Sequence, residues 1–146
     1  MSALAHAKSY RELIVYQKSR AFAQEIFELT RAFPKEEMFS LTDQVRRSSR
    51  SVGAQLAEAW AKRRYEKHFI SKLTDADGEQ LETQHWIETA ADCDYITHPQ
   101  AADLLAKYAE IGRLLGGMIA KADLFCNPEA LSIHEEQAVY GIDTEN

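Results

Sequence analysis

Two clusters of cations are the first residues in this chain that could do chemistry. Arg46, Arg47 and Arg50 lie close together, and Lys62, Arg63 and Arg64 are consecutive. Several cations on one surface suit phosphate binding, because charge alone gives affinity for a nucleic-acid backbone without reading its sequence. Arg46 and Arg50 are four residues apart, so a helix places them on one face. The competing reading is a solvated or ion-paired face, with Asp75, Glu79 or Glu82 as partners. Trp60 and Trp86 could stack on bases, although packing within or between subunits accounts for them more simply.

Metal and covalent chemistry have less to build on. Glu82-Thr83-Gln84-His85 is a Glu-x-x-His step of the kind used in di-iron helical bundles. Such bundles need two steps plus a glutamate from each of the other helices, and this chain contains one step, so no metal ligand set is assigned. Ser48, Ser49 and Ser51 stand near arginines, but no histidine neighbours them in sequence and no nucleophile-elbow motif occurs. Glycine-rich phosphate loops are absent. His6, His68, His98 and His134 are scattered and read as surface residues. No catalytic residue and no cofactor is expected; an enzyme or metalloprotein built on Glu82 and His85 is the competing class.

The chain of 146 residues is long enough for one domain with a sizeable core, and its 45% hydrophobic content is that of a globular protein. Cys93 and Cys126 form no CxxC pair and read as reduced thiols. Met1 to Lys8 has no apolar run suited to a signal peptide, and no stretch approaches the ~20 apolar residues of a membrane span. A cytoplasmic location is the expectation. The net charge of −6 hides an asymmetry: residues 1–64 carry 12 Lys and Arg against 7 Asp and Glu, a net of +5, and residues 65–146 carry 5 against 16, a net of −11. Such halves attract each other within or between chains.

The stretch 41–64 has the period of a helix. At about 100° per residue, Leu41, Val45, Ser48, Val52, Leu56 and Ala59 fall within roughly 80° of one another, an apolar face meant for a core. Arg46, Arg47 and Arg50 fall opposite, followed by Ala54, Ala57 and Ala61 with Gly53 at their margin. A strip of small residues suits close packing on another backbone, so Gly53, Ala54, Ala57 and Ala61 are the candidate contact with a second copy of the chain.

Three more helices flank it. The first spans about 10–33: Ser9 and Glu12 fit a capping box, and Pro34 ends it. Leu13, Tyr16, Ala23 and Phe27 form one apolar seam, and Val15, Phe22, Ile26, Leu29 and Phe33 another. Their joint arc of about 200° is wider than a peripheral helix needs, so neighbours are expected on two sides. Ser40 or Thr42 is the expected cap of the second helix. The third, 67–95, buries Phe69, Leu73, Ala76, Ile87 and Ala91 with Gln80 and Gln84 among them, and shows Asp75, Glu79, Glu82 and Trp86 elsewhere. The fourth, 99–123, starts from a capping Thr97 with Pro99 in its first turn and buries Leu104, Tyr108, Ile111, Leu115, Met118 and Ala122. Gly112 and Gly116 weaken it as a helix, so a close approach is expected there. Residues 1–123 make the bundle. The tail, Leu124 to Asn146, has five acidic residues and no Lys or Arg; it is an arm, or an extension lying on a neighbour. Long helices with short connections predict an all-α, up-down-up-down four-helix bundle.

The fragments Leu13-x-x-Tyr16-Gln17, Leu29-Thr30-x-x-Phe33-Pro34-x-Glu36-Glu37-x-x-x-Leu41-Thr42-x-Gln44-Val45-Arg46-Arg47-Ser48 and Ser51-Val52-Gly53-Ala54 resemble a known family. It is the small four-helix-bundle family that includes proteins encoded by intervening sequences in bacterial 23S ribosomal RNA genes. Lys72-Leu73-Thr74-Asp75-Ala76-Asp77-Gly78-Glu79 and Glu82-Thr83-Gln84-x-Trp86 resemble one branch of it. The resemblance implies a bundle that assembles as a ring-like homopentamer. It extends to the accessory protein of diversity-generating retroelements, a pentameric barrel whose basic surface binds nucleic acid and a reverse transcriptase. It implies no enzyme. Family members usually show Asn-Ile-Ala-Glu-Gly where Gln55-Leu56-Ala57-Glu58-Ala59 stands here, and the helix-favouring Ala59 extends the second helix. The accessory proteins are strongly basic, whereas this chain is acidic.

Residues and resemblance together predict a non-enzymatic, cytoplasmic homo-oligomer of unassigned process, pentameric by the resemblance. RNA or single-stranded nucleic acid is the candidate ligand of Arg46, Arg47, Arg50, Lys62, Arg63 and Arg64. Another protein, docking on the acidic second half or tail, is the alternative partner; no membrane is involved.

Overall fold

The computed structural model describes residues 7–127. Five α-helices fill them: α1 (Ile14–Thr30), α2 (Leu41–Ala61), α3 (Glu66–Asp92), α4 (His98–Ala120) and the short α5 (Ala122–Cys126), with 3-10 turns at Tyr10–Glu12 and Lys35–Glu37. No strand occurs among the described residues. Cross-helix pairs set the directions. Thr30 meets Arg46 while Ser19 meets Gly53, and Arg47 meets Glu82 while Gln55 meets Lys72. Lys18 meets Glu110 while Glu25 meets Lys107. The first number rises as the second falls each time, so α1–α2, α2–α3 and α1–α4 are antiparallel. Among the four long helices, the α2–α3 and α3–α4 packings are the most extensive, followed by α1–α2, with α1–α4 smaller.

Every residue assigned to the apolar face of α2 is buried: Leu41, Val45, Ser48, Val52, Leu56 and Ala59. The seams of α3 and α4 are buried as expected too, apart from Gln84, which is half-buried. Each fully buried Leu, Ile or Phe contributes about 1.5–3 kcal/mol. In α1 the buried line is Val15, Ser19, Ile26 and Thr30, with Tyr16, Ala23 and Phe27 half-buried on one side and Phe22, Leu29 and Phe33 on the other. Serine and threonine sit mid-stripe because α2 is close: a Cβ at Gly53 would lie 3.4 Å from Ser19 Oγ.

Helix ends differ from the sequence reading for local reasons. Ser9 Oγ and the Glu12 carboxylate do accept backbone N–H groups, from Arg11 and Lys8. They cap only a 3-10 turn, because Leu13, 1% exposed, is extended at ψ 129° to reach the core and α1 begins after it. The helix stops at Thr30 rather than Phe33, which instead packs its ring 5.4 Å from Tyr95. Neither Ser40 nor Thr42 caps α2 through its side chain. Ser40 Oγ turns to Glu37, and Thr42 is buried. Helix α2 ends at Ala61, not Arg64: Arg63 folds back and its Nε donates to the Trp60 carbonyl at 2.9 Å, satisfying a terminal carbonyl. The Thr97–Gln100 capping box of α4 is complete. The close approach expected at Gly112 and Gly116 exists at Gly112 alone, where a Cβ would lie 2.8 Å from Gln80 Nε2; Gly116 faces open space. Leu124 to Cys126 belong to α5, with Phe125 buried against Phe69. The rest of the acidic tail, residues 128–146, lies outside the described residues, as do His6 and His134.

One polar contact holds α2 to α3 from inside. The hydroxyls of Ser48 and Thr83, both fully buried, meet at 2.8 Å. Thr83→Val removes the donor to the buried Ser48 hydroxyl, leaving it only the Val45 carbonyl at 3.4 Å, and is expected to cost about 1–2 kcal/mol, whereas the Ser48→Ala/Thr83→Val double variant costs less than the sum of the two single losses. Urea unfolding of Thr83→Val, Ser48→Ala and the double variant checks this; additive losses would contradict it.

Candidate functional site

The three arginines of α2 have different fates. Arg47 crosses to α3, bonding the Glu82 carboxylate and reaching Glu79 at 3.3 Å. The ion-paired reading therefore holds for Arg47. Arg46 turns to α1: its Nε donates to buried Thr30 Oγ1 at 2.8 Å, and its guanidinium stands 4.7 Å from the centre of the Phe27 ring. Arg50 lies 5.3 Å from the same ring and Arg31 5.9 Å. Arg31 pairs with Glu28, while Arg46 and Arg50 have no acidic partner among the described residues. Three guanidinium groups thus surround one phenyl ring, an electropositive spot at one end of the α1–α2 face.

On α3, the Trp86 indole N–H donates to Glu82 at 3.0 Å and holds its carboxyl below the usual range, with Arg47 adding to the effect. A carboxyl with a depressed folded pKa contributes stability that is complete above the ordinary value near 4.5 and lost as pH falls through the folded value. Trp86→Phe and Arg47→Gln are therefore expected to lower the melting temperature at pH 7, with the gap to the parent closing in acid. A gap that persists unchanged in acid would contradict this origin.

Beside the Phe27 cluster runs a groove of about 310 Å³ between α1 and α2. Ser19, Ser49 and Gly53 are buried in its floor, Ala23 and Ala57 are half-buried, and Arg20, Gln24, Arg50 and Ala54 are exposed. Gly53 is covered within its own chain by Tyr16 and Ser19 of α1. Of the strip read as an outer contact, Ala54 and Ala61 are exposed and Ala57 half-buried. Sequence reasoning left Ser19, Arg20, Gln24 and Ser49 out of the site; the wide apolar arc of α1 was the available signal.

The other basic cluster lies at the α2–α3 turn. The Arg63 guanidinium stands 3.6 Å from the Trp60 ring centre, and Arg64 5.9 Å from that of Tyr65. Lys62, Arg64, Tyr65 and Lys67 are exposed, and Tyr65 lies 5.4 Å from His68. Burial lowers the Arg63 pKa. The two basic clusters fall at different places on the bundle, so they do not form one surface.

A family model described as the 23S rRNA-intervening sequence protein matches residues 11–117. The chain belongs to the 23S rRNA-intervening sequence protein family. Among solved structures, this family member is similar to a protein of unknown function from the S23 ribosomal protein family of Bacteroides thetaiotaomicron VPI-5482. The two share 33% identity over 73% of this chain and 96% of that chain, with a TM-score of 0.66. Comparison with functionally curated proteins gives no match. The family match takes in α1 to α3 and most of α4, and stops short of α5.

In this 23S rRNA-intervening sequence protein the Glu82–His85 step does not converge. Glu82 is held by Trp86 and Arg47, while exposed His85 sets its ring against Trp86 at 4.7 Å. Among the described residues no group of three or more His, Cys, Asp or Glu side chains could hold a metal ion. Ser48 and Ser49 are buried, with their hydroxyls facing backbone carbonyls one turn back. Among the described residues, no helix is long and apolar enough to cross a membrane.

Proposed function

We propose that this chain is a non-enzymatic building block that assembles with copies of itself, as a pentamer, through the α1–α2 face. The observation that carries this reading is the groove beside Ala54 and Ala57, where small residues leave room for a second backbone. The half-buried Tyr16 and Ala23 supply apolar area that a second copy would finish burying. Sedimentation velocity on the full chain tests it. The expected species has five times the 16.6 kDa of one chain. A single-chain mass at every concentration overturns the reading.

A second reading, binding of RNA or single-stranded nucleic acid, is favoured by the arginines gathered on Phe27. Most of the chain's net acidity lies in residues 128–146. Residues 128–146 hold five acidic side chains and no basic one, so residues 1–127 carry 17 Lys and Arg against 18 Asp and Glu, a net of −1. In a ring, Arg46 and Arg50 would recur once per subunit. Filter binding is expected to show retention at low salt that weakens steeply as salt rises. Wild-type-like binding by the Arg46/Arg47/Arg50 triple alanine variant removes this surface from consideration.

A further inference from the structure

We propose that the α2–α3 turn is a binding site for single-stranded nucleic acid, its backbone held by Lys62, Arg64 and Lys67 and its bases stacked on Tyr65 and on the Arg63–Trp60 pair. The proposal rests on the nucleic-acid reading but moves the ligand to the other basic cluster.

Charge comes first. Lys62, Arg63, Arg64 and Lys67 lie within six residues, and the 3-10 turn before α1 and the junction of α4 with α5 add Arg11 and Lys121 at the same end of the bundle. Among the described residues, Glu12, Glu66 and Asp123 are the acidic groups of the same end, with Glu12 accepting the Lys8 backbone N–H; Glu58 is drawn away by Lys72 at 3.6 Å. Unlike Arg47, Lys62, Arg64 and Lys67 form no ion pair among the described residues, and all three are exposed. Cations left unpaired on one turn repel one another, and a polyanion relieves that repulsion.

Aromatic rings then select the kind of polyanion. Tyr65 is 57% exposed between Arg64 and Lys67, in a chain whose other tyrosines described here are half-buried or buried. Arg63 lies over Trp60 and is fixed there by its bond to the Trp60 carbonyl. A flat guanidinium on an indole and an exposed phenol one turn away are platforms for unpaired bases, whose faces a duplex keeps hidden. The carboxylates of an acidic peptide would use the charges and leave the rings idle.

Fluorescence anisotropy on the full chain separates these cases. The probes are a labelled oligothymidylate, a duplex of the same length and a polyglutamate peptide, all at low salt. Lys62→Ala/Arg64→Ala/Lys67→Ala is expected to weaken oligothymidylate binding about tenfold or more and to flatten the salt dependence by about two units of log–log slope. Tyr65→Ala is expected to weaken it about tenfold while leaving duplex binding unchanged. These residues are exposed, so circular dichroism should match the parent. Parent-like binding by the triple variant, equal binding of polyglutamate, or no effect of Tyr65→Ala overturns the proposal. Loss confined to Arg46→Ala/Arg50→Ala overturns it while preserving the α1–α2 surface, and no binding by the parent overturns both.

Discussion

Ala57→Arg is expected to leave folded single chains in place of the proposed oligomer. Ala57 lines the groove between α1 and α2 and is half-buried within one chain. An arginine there fills the space offered to a second backbone and joins Arg20 and Arg50, which already line it. Bringing a copy against this arginine would bury one further unpaired charge, a penalty of several kcal/mol. The helix itself should survive, because arginine is nearly as good a helix former as alanine. Light scattering beside circular dichroism reads both quantities. Ala102→Arg, on an exposed position of α4, serves as the control and should leave the mass unchanged. An Ala57→Arg protein that keeps the parent's mass would show that assembly uses another face.

Phe69→Ala is expected to be the most damaging truncation inside the bundle. Phe69 is fully buried in the first turns of α3 and stacks on Phe125 with ring centres 5.9 Å apart. Removing the ring leaves a cavity beneath α5 and should cost about 3–5 kcal/mol. That is a large part of the 5–15 kcal/mol by which a typical domain is stable. Urea unfolding at fixed protein concentration should show a lower midpoint at an unchanged slope. A loss under about 1 kcal/mol would mean that α5 re-docks and fills the space. Phe125→Ala should reproduce part of the loss, and the two losses should not add, because the rings are one contact.

A different latch closes the other end of the bundle. The Tyr95 hydroxyl, from the α3–α4 turn, donates to Glu37 of the α1–α2 turn at 2.8 Å. That bond raises the Tyr95 pKa to about 12, and Ser40 and Tyr95 hold Glu37 below its ordinary value. Tyr95 contributes below its ordinary value of 10 and loses that contribution as pH rises through about 12, so the bond is intact at neutral pH.

The sequence by itself determined the four long helices, because their buried stripes repeat at three and four residues whatever they pack against. Leu41 to Ala59 on α2 and Leu104 to Met118 on α4 could be assigned to the core before any neighbour was known. The Thr97 cap was legible for the same reason: its bond lies within four residues, although the reciprocal bond from Gln100 was seen only in the structure. Only the tertiary structure decided where α1 begins and α2 ends, since Leu13 extends to reach a core built by other helices and Arg63 turns back onto Trp60. It also decided the fates of the arginines. Arg46, Arg47 and Arg50 look alike along the chain, yet Arg47 is neutralised by α3 while Arg46 and Arg50 gather on Phe27 of α1. Helical period fixes the direction in which a side chain leaves its own helix. Whether a carboxylate or a phenyl ring waits there depends on which helix is next to it, and that is a property of the packed bundle.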